Sequence, residues 1–136
     1  MHRPLRALVQ RAPVTCTEET SIHDAFRAMH EAKVGSIVVL AEDGMPSGIF
    51  TAHDTVDRVV LPRVDTGAPI AQVMTPRPHV ISAYASAYDA ALVMATHGVR
   101  HLPVVEERRV IGVVAEHDLF TLQRVSLRQI HRAIRS

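Results

Sequence analysis

Apolar and polar positions along this 136-residue chain change period in a fixed order, and they do so twice. Val14 to Thr17 reads as a short extended piece. Ile22, Ala25, Phe26 and Met29 then recur on one face of a 3.6-residue period, which predicts a helix over Ile22 to Lys33. Ser21 stands as its N-cap, with Asp24 in the first turn, a variant of the capping box. Two β-rich runs follow, Ser36 to Leu40 and Gly48 to Thr51, joined by the turn-forming AEDGMPS. A last helix starts near His53. The second pass repeats the order: Val80 to Ser82 extended, Ser86 and Asp89 opening a helix, then strands His101 to Val105 and Val110 to Ala115 around a tight EERR turn. Its helix face is Ala87, Ala90, Ala91 and Met94, small enough for another helix to approach closely. Another helix starts near His117.

The repetition extends to identities. At a shift of 65, Pro13 matches Pro78, Ser21 matches Ser86, Asp24 and Ala25 match Asp89 and Ala90, and Met29 matches Met94. Val34 and Val39 likewise fall on Val99 and Val104. After one gap the shift is 64, and Gly48, His53 and Asp54 fall on Gly112, His117 and Asp118. Identities in one order with one gap mark a duplicated supersecondary unit. Each copy is β-α-β-β-α, small to fold alone, so two copies packed sheet to sheet are expected to share a core. The predicted divisions are 7–61 and 78–120 for the repeats, with 62–77 as linker and 121–136 as a helical extension. Pro62, Gly67, Pro69 and Pro76 break up the linker, where Ile70 to Met74 is expected to form one helical turn.

Composition narrows the class. Apolar residues make up 47% of the chain and Trp is absent, so the core is aliphatic. No apolar run approaches the ~20 residues of a membrane span, and the N-terminus is a poor signal peptide; a cytoplasmic protein is expected. The lone Cys16 rules out an internal disulfide and leaves no zinc-finger spacing. Nine histidines, among them the neighbours His97 and His101 and the pair His23 and His30, form no recognised ligand set such as HExxH, and no metal is expected. The net charge of +1 hides a basic tail: Arg124, Arg128, Arg132 and Arg135 stand in the last sixteen residues without an acid.

The candidate chemistry lies in GIFTAHD, from Gly48 to Asp54, and its second copy GVVAEHD, from Gly112 to Asp118. Each is a strand feeding directly into a helix. Thr51 and Asp54 sit at the junction, where a hydroxyl and a carboxylate beside first-turn N–H groups could receive a phosphate and a sugar hydroxyl. The same two residue types also cap helices. Both readings remain open at this level.

Two such units, with VMTPRPHVIS leading into the second and GVRHLPVV within it, resemble a tandem pair of CBS domains, the Bateman module, from about Ala7 to Phe120. The resemblance implies two β-α-β-β-α repeats related by a pseudo-twofold axis, an α/β (α+β) fold that dimerises through its helices. It implies a sensor of adenine nucleotides (AMP, ADP or ATP) or a related adenosyl compound, with no catalytic residues and no cofactor beyond that regulatory ligand. Carried over, Asp54 and Asp118 would receive ribose hydroxyls, and Thr51, Arg100 and His101 would face phosphate. Thr15, Cys16 and Ile37 would flank adenine in one cleft, and Val80, Ile81 and Leu102 in the other. Ala115 departs from the pattern at the second hydroxyl position, and Gly35 and Ser36 replace the basic pair in the first copy. The clefts are therefore expected to be unequal.

The tail carries an apolar stripe, Leu127, Ile130 and Ile134, beside the basic one. It resembles the segment that joins a CBS pair to a nucleotidyltransferase domain in some bacterial signalling proteins, which implies a fragment of, or a stand-alone relative of, such a regulator. The expected partner of this stripe is a second protomer or a following domain; arginines without interleaved aromatics argue against nucleic acid. An enzyme is disfavoured because the chain lacks a nucleophile–base pair, a spaced carboxylate pair and a Gly-rich phosphate loop. A ligand-free dimerisation scaffold is the other class, favoured by Ala115 and opposed by the retained Asp54 and Asp118.

Overall fold

The computed structural model describes residues 3–119. The predicted extension 121–136, with its apolar and basic stripes, lies outside the described residues. Helix α1 (Leu5–Leu8) precedes β1 (Thr15–Thr17), α2 (Ile22–Ala32), β2 (Ser36–Leu40) and β3 (Pro46–Thr51). A helical segment over 54–60 follows, its Val56–Val60 part wound as a π-helix. After a 3-10 turn (Ile70–Gln72) come β4 (Thr75–Pro76), β5 (Ile81–Ser82), α3 (Ala87–His97), β6 (His101–Glu106) and β7 (Arg109–Ala115). Residues 116–119 begin another helix.

Local sequence explains the element ends. The Ser21 hydroxyl accepts from the Asp24 N–H, and Ser86 and Asp89 complete the full reciprocal capping box. Helix α2 stops at Lys33, which turns into the left-handed region at φ 56°. The tight turn between β6 and β7 places Glu107 and Arg108 there too, as a two-residue hairpin requires.

The strands form two sheets, ordered β1-β2-β3-β4 and β5-β6-β7. In each, the first strand runs parallel to the second, and the second and third form an antiparallel hairpin. Strand β4 is the departure from the expected linker. Its Thr75 and Pro76 pair with Ile49 and Gly48, extending the first sheet, and a proline is tolerated there because β4 is an edge.

The buried apolar residues fall into two clusters. One holds Ile22, Ala25, Met29, Ile37, Val39, Phe50 and Val59 of the first repeat, together with Ile70 and Val73 from beyond it. The other holds Ile81, Ala90, Met94, Leu102, Val104, Val114 and Leu119, together with Leu5 from the N-terminus. The core-sharing expected of two small units thus takes the form of an exchange, in which the segment preceding each repeat packs into the other. The backbone follows the same rule. Leu5 N–H donates to Ala85 O (2.8 Å) and Arg6 N–H to Ala83 O (2.8 Å), while Ile70 N–H donates to Thr20 O (2.7 Å) and Ala71 N–H to Glu18 O (3.3 Å). Pro4 bridges to Ser86 as Pro69 does to Ser21.

Strand alternation turns Val38 and Pro103, which are counterparts in β2 and β6, away from these helix-covered clusters. Both are fully buried nevertheless, as they must be if each central strand is covered on both faces and the second face meets the other repeat.

Candidate functional site

Both GIFTAHD and GVVAEHD end a strand and start a helix, and the geometry at the two junctions is nearly the same. Asp54 Oδ2 accepts from the Thr51 backbone N–H and from the Thr51 hydroxyl, each at 3.0 Å. Asp118 Oδ2 accepts from the Ala115 N–H at 3.0 Å, with no hydroxyl to add. The capping reading of the two aspartates therefore holds in the structure. It does not use up the groups, because a carboxylate offers about four lone-pair sites. Asp54 Oδ1 lies 3.8 Å from Arg58 Nε, whose Nη1 is held by Val73 O at 3.1 Å. Asp118 Oδ1 lies 3.9 Å from His117 Nε2.

A cavity opens beside each carboxylate, about 650 Å³ at Asp54 and about 550 Å³ at Asp118. Both fall within the range of small-molecule sites. Each is built crosswise. Thr51 and Asp54 of the first repeat face Pro78, His79, Arg100 and His101 of the second, with Arg58 and Arg77 at the margin. Ala115 and Asp118 of the second repeat face Pro13, Val14 and Ser36 of the first, with Arg11 and Lys33 at the margin. Three side chains, His53, Arg100 and His101, line both cavities.

The fold therefore brings Thr51, Asp54, Arg100 and His101 together, and gives Asp118 a cleft of its own that Arg100 and His101 also reach. The six residues expected to flank adenine are placed differently. Thr15, Cys16, Ile37, Val80, Ile81 and Leu102 line neither cavity. Ile37 and Leu102 are fully buried and Ile81 nearly so, in the helix-covered clusters, and Cys16 packs against one of them. The reason is the two-residue period of a strand. When Ile37 and Leu102 point into the cores, their neighbours Ser36 and His101 point the other way, into the clefts. The segments that do line the clefts, Pro13–Val14 and Pro78–His79, come just before β1 and β5 and each serves the other repeat's aspartate. The Pro13–Pro78 match marked them as equivalent positions, but sequence contains no indication that the repeats cross.

Burial, more than any charge, holds the His101 ring below the ordinary histidine range; His53 adds to the effect, Asp118 and Asp54 oppose it, and Arg100 reinforces it. Burial pushes the Cys16 thiol up to about 11, against a lowering hydrogen bond from Thr20, which leaves it an inert strand residue. His97, paired in the sequence with His101, stacks instead on His79, with ring centroids 3.8 Å apart. Among the described residues no three His, Cys, Asp or Glu side chains converge on a metal position, and no helix is long and apolar enough to cross a membrane.

Two α/β repeats with a cleft at each crossing of one repeat's strand end and the other's entry segment define a duplicated, pseudo-twofold module. The chain belongs to the CBS domain family, whose model matches residues 5–60 and 70–124. It is similar to the uncharacterized protein YlbB of Bacillus subtilis (strain 168), at 32% identity over 105 residues, spanning 76% of this chain and 71% of that protein. Among solved structures it is similar to the CBS domain protein PAE2072 from Pyrobaculum aerophilum complexed with AMP, with a TM-score of 0.77 and 25% identity over 85% of this chain and 88% of that one. The CBS domain pair of protein MJ0100, in complex with 5′-methylthioadenosine and S-adenosyl-L-methionine, shares the fold at a TM-score of 0.80 and 21% identity, covering 93% of this chain and 99% of that one.

Proposed function

We propose that this chain is a regulatory sensor that takes an adenine nucleotide or adenosyl compound into its inter-repeat clefts and signals by shifting one repeat against the other. One observation carries the reading: each cavity pairs a strand-end carboxylate of one repeat with the entry segment of the other. A ligand in either cleft must therefore touch both repeats, and only a ligand with differential contacts can shift their relation. The AMP complex of PAE2072 supports adenosine as the ligand class.

In this reading Asp54 and Asp118 receive the ribose hydroxyls on their carboxylate oxygens, which keep lone-pair sites beyond the backbone hydrogen bond at each junction. Thr51 cannot donate to a phosphate while its hydroxyl donates to Asp54. Ribose hydroxyls arriving at Asp54 replace that donor, and the freed Thr51 hydroxyl turns to the phosphate alongside Arg100 and His101. Arg100 suits this role because its guanidinium is permanently charged and can bind two phosphate oxygens at once. Adenine lies against Pro78 and His79 in the first cleft and against Pro13 and Val14 in the second. Val56, Val60 and Leu61 are 56%, 59% and 70% exposed on the segment that follows Asp54; we assign this face to a second copy of the chain, which carries the signal onward. A role in controlling a nucleotidyltransferase-type domain remains part of the proposal and would act through the C-terminal segment.

Titration calorimetry at fixed salt with AMP, ATP and S-adenosylmethionine, and GTP as control, tests the ligand class. Micromolar binding of an adenosyl ligand that is lost with Asp54→Ala or Asp118→Ala is the expected result. A folded dimer that binds none of them would leave the scaffold reading, which Ala115 favours.

A further inference from the structure

We propose that the two clefts compete for one shared cation, Arg100, so that a phosphorylated ligand in either cleft weakens the binding of a second phosphorylated ligand in the other. The inference rests on the adenosyl-sensor reading and adds how the two sites regulate each other. His53, Arg100 and His101 line both cavities. An exact twofold axis would supply a second basic pair, but the positions matching Arg100 and His101 hold Gly35 and Ser36, which line the Asp118 cleft without charge. The duplication thus retains two carboxylates and one shared basic pair.

Arg100 already has a charge partner on one side. Its Nε lies 3.6 Å from Glu116 Oε2, and Glu116 lines the Asp118 cleft and not the Asp54 cleft. Both side chains are about two thirds exposed, so the pair is weak and exchangeable. A phosphate in the Asp54 cleft draws the guanidinium away from Glu116, whose carboxylate is then left beside Asp118 in a cleft that has lost its shared cation. A phosphate in the Asp118 cleft holds Arg100 on that side and leaves the Asp54 cleft with Arg58 and Arg77, of which Arg58 is already engaged by Asp54 and Val73 O. A ligand without phosphate, such as adenosine, makes no demand on Arg100, so the two clefts fill independently.

The test is titration of AMP and, separately, of adenosine into the full chain and into Asp54→Ala and Asp118→Ala, with Asp54→Asn and Asp118→Asn as variants that keep an acceptor for the capping N–H. In the unaltered chain two AMP steps separated by on the order of tenfold or more are expected, within the usual range of site-to-site coupling, whereas adenosine shows no such separation. The variant that keeps only the weaker cleft should bind AMP more tightly than the second step of the unaltered chain, because its remaining cleft has sole use of Arg100. Arg100→Gln, at a side chain about two thirds exposed, should weaken the first AMP step and narrow the separation. If the variant that keeps only the weaker cleft binds AMP only as weakly as the second step, unequal clefts alone account for the separation and the competition is refuted; two equal independent AMP steps refute it as well. Failure of AMP, adenosine, ATP and S-adenosylmethionine alike to bind the folded chain overturns the sensor reading itself, and this inference with it.

Discussion

Leu5 and Ile70, 65 positions apart, occupy the same place in opposite halves of the molecule: Leu5 is 1% exposed in the core of the second repeat and Ile70 is fully buried in the core of the first. Each enters from the segment before its own repeat, so neither repeat has a complete core without residues that precede the other. Truncating either side chain leaves a cavity in a small cluster. Leu5→Ala and Ile70→Ala are each expected to cost about 2–5 kcal/mol in urea unfolding. Leu5→Ala should lower hydrogen-exchange protection first in β5 and β6, not in the strand nearest to it in sequence. Loss confined to the first repeat would contradict the exchange.

The two aspartates differ in what they hold. Asp54 accepts two hydrogen bonds and Asp118 one. Both alanine substitutions should lower stability within the cap range of about 0.5–2 kcal/mol, with Asp54→Ala the larger. Thr51→Ala, which makes the first junction like the second, should bring the cost of removing Asp54 down to that of removing Asp118. A double-mutant cycle on thermal or urea unfolding measures the difference directly.

Close approach of backbone explains two glycines. A Cβ on Gly48 would strike the Met74 side chain, its Cγ at 2.8 Å, and a Cβ on Gly112 would strike Val9 Cγ1 and approach Arg11 O at 3.4 Å. Methionine adapts its shape readily, whereas the Val9 side chain is stiff at χ1. Gly112→Ala is therefore expected to be the more damaging, by about 1–3 kcal/mol against a smaller loss for Gly48→Ala. Equal losses would mean that the N-terminal segment yields as easily as Met74.

His101 makes stability depend on pH in one direction. Its folded pKa lies below the ordinary value of 6.5 because burial disfavours the charged ring. As pH falls below that value the unfolded chain takes up the proton first, so stability drops through the window between 6.5 and the lower folded pKa, and above it the residue contributes no pH dependence. The urea midpoint of the native chain should fall more steeply between pH 7 and pH 5 than that of His101→Gln, and the two profiles should run parallel above pH 7.5. Parallel profiles throughout would show that the ring is solvated.

Much of the architecture could be read from the chain because it depends on local rules. The periodicity at Ile22, Ala25 and Met29, the Ser21 and Ser86 caps, and the Ser36–Leu40 strand all appear where short-range sequence put them. The pairing of Thr51 with Asp54 was likewise legible as a motif. The placement of the adenine-flanking residues one strand position away from the clefts was not, because a single-residue step moves a side chain to the opposite face of a sheet and only the packed structure shows which face meets the other repeat. Strand β4 was hidden for a similar reason: Thr75–Pro76 has no strand character by itself and is held in the sheet by pairing with Gly48 and Ile49.

By itself the sequence determined that the chain is a duplication, where α2, α3 and the two hairpins begin, and that a carboxylate stands at the end of a strand in both copies. These properties follow from contacts within a few residues and from comparison of the chain with itself. Tertiary structure alone decided that the repeats exchange their entry segments, that each carboxylate faces the other repeat, and that Arg100, His101 and His53 stand between both clefts. Those relations join residues dozens of positions apart, and the burial of two incomplete cores against each other selects them.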